Sequence, residues 1–290
     1  MNTAHSRERG KPGFFAGWRR GDRKNLDPRV RGDERVRGLA FVFILALTAC
    51  DRSPPAEPTA PAPAAAAPAA PFSYEKTTPD AEVSLILPIA LRPHPALHRT
   101  LYDREVAELG KVAADAVADR KGPGAAMPPY GATVAWTVAA ETGRLLSLVR
   151  EASSFTGGAH PNSTLTTLLY DKQTGREVAP SAVFVADRLA GPEAALCDAL
   201  KREKAERGAG PLDGEMWSCP KWLDSQIALE PGTAKGRAGG VSFQFSPYEV
   251  GAYAEGAYEI TLPLAAFEGA LAPAYKGEFA GAPVKAAPSG

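Results

Sequence analysis

Only three cysteines and four histidines occur in 290 residues, and no CxxC pair is among them. That scarcity removes the usual Cys/His zinc sites. An HExxH helix, a GxSxG elbow and a phosphate-binding glycine loop ahead of a helix are missing as well. No apolar run reaches the roughly 20 residues that a membrane-spanning helix needs. Net charge is absent, with 33 basic against 33 acidic residues. No short internal period stands out, which disfavours solenoids and propellers.

What the chain does contain begins with Leu39–Ala49, LAFVFILALTA, an apolar core of 11 residues closing on Cys50. It has the length of a secretory h-region, and Arg35 and Arg37 supply the positive segment before it. The ending Leu47-Thr48-Ala49-Cys50 resembles a bacterial lipobox. That resemblance implies a signal region 1–49, lipidation (palmitate) of Cys50 and a membrane anchor, since several acyl chains on one cysteine hold a protein stably to a bilayer. The competing reading is a short buried helix ending in cysteine. Residues 1–35 have no apolar periodicity; they read either as the product of a start codon placed too early or as a cytoplasmic tail.

Of the basic and acidic residues, 11 and 5 precede Cys50, so the chain from Cys50 onward carries 22 and 28, a formal net charge of −6. An acidic chain argues against a nucleic-acid partner, which would need a positive field. Asp51 resembles an inner-membrane retention signal, with inner versus outer membrane left open; the domain is expected to face the periplasm or exterior. Residues 50–71 are the lipidated cysteine and a Pro/Ala tether too poor in apolar area to form a core. A similar tail is expected at 280–290.

The segment between these ends reads as α+β, with mixed or antiparallel sheets, hairpins packed by helices, and a disulfide-linked helical insertion. Boundaries at 72–180 and 181–279 are expected for two subdomains. Strands are expected at Glu82–Ala90, Thr133–Ala140, Leu145–Glu151, Ser163–Tyr170, Ser225–Leu229, Val241–Ser246 and Ala257–Leu262. Glu141–Arg144 should form a hairpin turn, and Gly175 should take the left-handed position of a second turn. Ala96–Asp119 repeats apolar residues near a 3.6-residue period and predicts a helix of about six turns. Helix is also expected over Pro180–Leu189, Pro192–Arg207 and Pro263–Leu271.

Cys197 and Cys219 are left once Cys50 takes lipid. An exported context pairs them, closing a loop of about 23 residues worth about 3 kcal/mol in the chain-entropy model; two buried thiols are the alternative. His94 and His98 sit four apart, but Pro95 lies between them and no HExxH glutamate is present, so a solvated helix start is expected. Metal and cofactors are not expected. Ser153, Ser154, Thr156, His160 and Asn162 crowd the segment Phe155–Asn162 (FTGGAHPN) with polar groups. Gly157 and Gly158 permit positive φ, and His160 and Asn162 follow at once. It is either a binding loop with His160 as the weak candidate base, or a strand crossover. Glu141, Glu151 and Asp171 offer an acid pair only if the fold gathers them. Trp217, Trp222, Tyr248, Tyr253 and Tyr258 could line a sugar-binding surface or serve as core.

Two blocks, Phe155–Val178 (FTGGAHPNSTLTTLLYDKQTGREV) and Phe243–Leu264 (FQFSPYEVGAYAEGAYEITLPL), resemble paired envelope domains, both of unknown function. Such a pair forms the extracellular region of the lysozyme-sensing anti-sigma-V factor and precedes the catalytic domain of a peptidoglycan deacetylase. The resemblance spans roughly 72–279. It implies a non-catalytic envelope binding module for peptidoglycan, a polysaccharide or a lysozyme-like protein, with Gly157, Gly158, His160, Asn162 and Tyr248 as binding residues. The alternatives are a cell-wall hydrolase or deacylase using His160, and a structural scaffold for envelope proteins.

Overall fold

The computed structural model describes residues 69–121, 128–212 and 216–284, all within one compact unit, Ala64–Gly290. The apolar run Leu39–Ala49, the lipidation expected at Cys50 and most of the Pro/Ala segment expected to be a tether lie outside the described residues. Two sheets with helices make an α+β fold. The first holds six strands in chain order: β1 (Ser73–Thr77), β2 (Ala81–Ile86), β3 (Tyr130–Glu141), β4 (Leu145–Phe155), β5 (Asn162–Asp171) and β6 (Arg176–Val178). All neighbours are antiparallel except β2 and β3. A parallel pair requires a crossover, supplied by helix α1 (Pro95–Asp119).

Pro95 opens α1 at a position where a missing N–H costs nothing. The buried stripe of α1 includes Leu97, Leu101, Glu105, Leu109 and Ala113, and it packs on Val83, Leu85, Val134, Trp136, Leu146 and Leu148 of one sheet face. A charged residue therefore stands in the middle of an apolar contact. Its carboxylate accepts Arg150 Nε at 3.0 Å and Nη2 at 2.9 Å on one oxygen, and Trp136 Nε1 at 3.2 Å on the other. His98 is buried rather than solvated. Its ring stacks on Phe72 at 4.1 Å and Nε2 lies 3.1 Å from the Pro71 carbonyl, so Pro71 and Phe72 are pinned to α1.

The second sheet orders β7 (Gln226–Pro231), β8 (Ala238–Phe245) and β9 (Tyr258–Pro263), all antiparallel. Strand β8 is buried along its whole length. β7 lies against β3, β4 and β5, and Ala140, Leu145 and Leu169 of the first sheet join the core of Trp222, Phe243, Phe245 and Phe267. Side chains close the seam. Ser147 Oγ accepts the Leu229 N–H at 2.9 Å, while Gln226 Oε1 and Ser246 Oγ accept the Thr167 and Leu165 N–H groups at 2.8 and 2.9 Å. Those last two donors belong to the stretch of β5 that β6 does not cover, so the second sheet satisfies an otherwise open edge.

Helix α3 (Ala190–Glu206) packs against β9, and Cys197 on it is disulfide-bonded to Cys219. The expected helix over Pro180–Leu189 is instead a four-residue helix α2 (Pro180–Val183) and a 3-10 turn, Ala186–Arg188. Phe184 breaks it by turning extended, at φ −118° and ψ 135°, to enter the core. The last expected helix is likewise two 3-10 turns separated at Phe267, which is also buried. At the C-terminus, residues 281–284 are docked rather than tail-like. Ala282 O accepts the Thr233 N–H at 2.9 Å and Val284 N donates to Pro231 O at 2.7 Å. Gly239 allows this approach, because a Cβ there would stand 2.3 Å from the Ala282 carbonyl oxygen. Among the described residues no helix is long and apolar enough to cross a membrane.

Candidate functional site

The loop between β4 and β5 turns on Gly157 (φ 91°) and Gly158 (φ 116°), values that side chains rarely tolerate. It brings His160 against the second sheet. The imidazole stacks on Tyr253 with centroids 3.7 Å apart, and Tyr253 lies 5.4 Å from Tyr248. Tyr253 OH donates to the Pro161 carbonyl at 2.8 Å. The two blocks singled out in the sequence thus meet in one surface strip of rings. His160 and Tyr248 are exposed, and Tyr253 and Trp217 are half-buried.

The segment after β8 is built to present that strip. Tyr248 holds φ 75°, a left-handed backbone that costs a bulky residue about 1–3 kcal/mol. Trp217 Nε1 donates to its carbonyl at 3.3 Å. Beneath, Lys204 from α3 is buried; its ammonium donates to the Val250 carbonyl at 2.9 Å and pairs with Glu255. Glu255 also accepts Tyr258 OH at 2.7 Å and the Ala252 N–H at 3.2 Å. Burial alone would raise the Glu255 carboxyl, but Lys204, Tyr258 and the Ala252 N–H outweigh it and hold it below the usual carboxylate range. Burial, with the Glu255 carboxylate beside it, pushes Tyr258 up to about 12. A Cβ at Gly251 would fall 2.1 Å from Glu255 Oε2, so any larger residue there must displace the Glu255–Lys204 pair.

The His160 ring engages the Pro161 carbonyl through Nδ1 at 2.8 Å. A carbonyl can only accept, so Nδ1 carries the proton and Nε2 the lone pair in the neutral ring. Among the described residues no carboxylate or hydroxyl bonds to it, so the geometry supplies neither a nucleophile nor an orienting acid. Asn162 opens β5 opposite Ser154. His160 and Tyr248 gather on Tyr253, a residue the sequence offered only as one of five aromatics, while Gly157 and Gly158 shape the loop that carries His160. Trp222 and Tyr258 from that same five are fully buried core. The acidic trio is not gathered either: Asp171 pairs with Arg144 at 2.6 Å and Glu141 with Lys172 at 2.6 Å. No group of three metal-ligating side chains occurs among the described residues.

Two larger clefts lie elsewhere. One, of about 370 Å³, is lined by Arg104, Glu105, Trp136 and Arg150; the other, of about 410 Å³, by Asp171, Arg176 and Tyr275. Their buried carboxylates, Glu105 and Asp171, are taken up by the arginine pairs that hold the fold.

Residues 183–265 match a family described as "Protein of unknown function (DUF3298)". The matched span runs from the end of α2 through β9 and so carries the disulfide and the Tyr248–Tyr253 segment. Among solved structures, the chain is similar to a member of the DUF3298 family from Bacteroides fragilis NCTC 9343 and to a DUF3298 family protein from Pseudomonas aeruginosa PAO1. Each likeness has TM-score 0.50 and 17% identity, covering 71% and 72% of this chain and 94% of each relative. At that identity what is shared is the fold. No curated protein matches the chain.

Proposed function

We propose that this protein is a non-catalytic glycan-binding module of the bacterial cell envelope, anchored by lipid at Cys50 and facing the periplasm or exterior on its Pro/Ala tether. One observation carries the reading: His160, Tyr253 and Tyr248 form a continuous strip of rings at the surface, presented by a left-handed residue and braced from below by a buried ion pair. Aromatic rings with an apolar face and a polar tip are suited to the C–H faces and hydroxyls of sugars. Peptidoglycan is the ligand that fits the proposed address. The resemblance to the anti-sigma-V receptor region and to the deacetylase accessory region points to the same compartment. A basic lysozyme-like protein is the competing partner, favoured by the net charge of −6 beyond Cys50.

Sedimentation of the purified protein with insoluble peptidoglycan, and capture on immobilised lysozyme, separates these partners. Saturable peptidoglycan binding is expected. The pair Tyr248→Ala and Tyr253→Ala should weaken it about tenfold, a loss of about 1.4 kcal/mol, with circular dichroism unchanged. Binding to lysozyme alone would replace the glycan reading, and binding to neither would remove both.

A further inference from the structure

The loop that carries His160 has a second side. There it borders a cavity of about 270 Å³ on the face of the first sheet opposite α1. Strand register builds this cavity. Glu75 stands opposite Ser84, Ser84 opposite Thr133, and Thr133 opposite Ser153. One row across four strands therefore carries a carboxylate and three hydroxyls. The adjacent row runs Thr77, Glu82, Gly131, Phe155. Gly131 contributes no side chain, which interrupts that row in its middle. A Cβ there would meet only the Phe155 Cβ, at 4.0 Å. Gly131 lines the cavity together with Glu82 and Phe155 on either side of it.

Neither Glu75 nor Glu82 takes part in an ion pair among the described residues. The cavity is smaller than the roughly 300–1,000 Å³ of sites that engulf drug-sized ligands, so it holds one small ring. Pro161 joins it to the aromatic strip, lining the cavity while its carbonyl accepts Tyr253 OH.

We propose that this cavity is a second sugar subsite, so that the two sides of the loop together bind an oligosaccharide rather than a single ring. The inference rests on the glycan-binding function above. Sugar hydroxyls donate to the Glu75 and Glu82 carboxylates and accept from Ser84, Thr133 and Ser153, while Phe155 receives a ring face. The carboxylates also set the class of sugar. Neutral N-acetylated or amine-bearing rings are accepted and uronic acids are repelled.

Calorimetric titration of the whole protein with N-acetylglucosamine oligomers of increasing length tests this. Affinity should rise about tenfold or more from one ring to four, as expected when a second site is engaged by the same molecule. Gly131→Val suits a strand and fills the gap, and it should abolish that gain; Ser84→Leu, from the neighbouring row, is an independent check should the first variant fold poorly. A wild-type affinity that does not change with length overturns the subsite, as does a length dependence untouched by both folded variants. If neither the oligomers nor peptidoglycan bind, the glycan-binding function itself falls. Binding of peptidoglycan with no gain from oligomer length sinks the subsite alone.

Discussion

Trp222 shows how a single side chain can be central and yet imperfectly satisfied. It is fully buried against Phe184, Phe243 and Phe267, at centroid distances of 5.2, 4.7 and 5.5 Å. Its indole N–H has no hydrogen-bond partner among the described residues. An unmet buried donor costs about 1–3 kcal/mol, whereas truncating a buried tryptophan to alanine costs about 3–5 kcal/mol. Trp222→Phe should therefore lie within about 1 kcal/mol of wild type, because relief of the unmet donor offsets part of the lost volume. Trp222→Ala should lose the full cavity cost. Urea denaturation of both variants checks the contrast, and equal losses would refute it. The tryptophan's burial was only half legible in the sequence, which offered it both as core and as a sugar-binding ring.

At the scale of elements, local pattern and tertiary demand part company in definable places. The β3–β4 hairpin, the Gly175 turn (φ 66°) and α1 form where the sequence places them, because each depends on contacts within a few residues. Two expected helices fail at Phe184 and Phe267 for one reason. Both rings leave helical geometry to meet in the same core, 5.9 Å apart. Glu105 was invisible in the apolar stripe of α1 because a carboxylate reads as solvent-facing until Arg150 and Trp136 are seen beside it. The disulfide was legible from the cysteine count once an exported chain was expected. It joins α3 to the segment that delivers Trp217, two residues before Cys219, to the aromatic strip. A crosslink spanning 22 positions should contribute about 3 kcal/mol. Reduction is thus expected to lower the melting temperature by about 6–12 °C. Calorimetry with and without reductant measures this, and an unchanged transition would show that the crosslink adds nothing to stability.

For the whole molecule, buried carboxylates set the pH range of stability. Burial raises Asp171, but the Arg144 guanidinium and the Gln173 and Thr174 N–H groups outweigh it, so its carboxyl sits below the ordinary range, as does that of Glu255. A depressed folded pKa gives stability that is complete above the unfolded value of about 4 and lost as pH falls through the folded value. Glu230 has the opposite sign. Burial, together with nearby Glu259 and against the Ser242 hydrogen bond, raises it, so its contribution is present at low pH and is lost as pH rises through its folded value. Tyr258, at about 12, contributes below its unfolded value of about 10 and loses that contribution as pH rises through about 12. Urea midpoints should therefore fall below about pH 4 and again above about pH 10. Asp171→Asn should flatten the acid limb and Tyr258→Phe the alkaline one. Limbs of unchanged slope in these variants would assign the titration to other groups.

By itself the sequence determined the types of most elements, the hairpin and turn positions, the pairing of Cys197 with Cys219 and the loop in which His160 stands. These follow from periodicity, glycine placement and composition, all of which act over short stretches of chain. Only the tertiary structure decided that His160 meets Tyr253, with Pro161 bonded across a separation of 92 residues. It also decided that Gly131 lines a cavity between Glu82 and Phe155. Both depend on strand register and on one sheet packing against another, where partners are chosen by burial and hydrogen-bond satisfaction summed over the whole core.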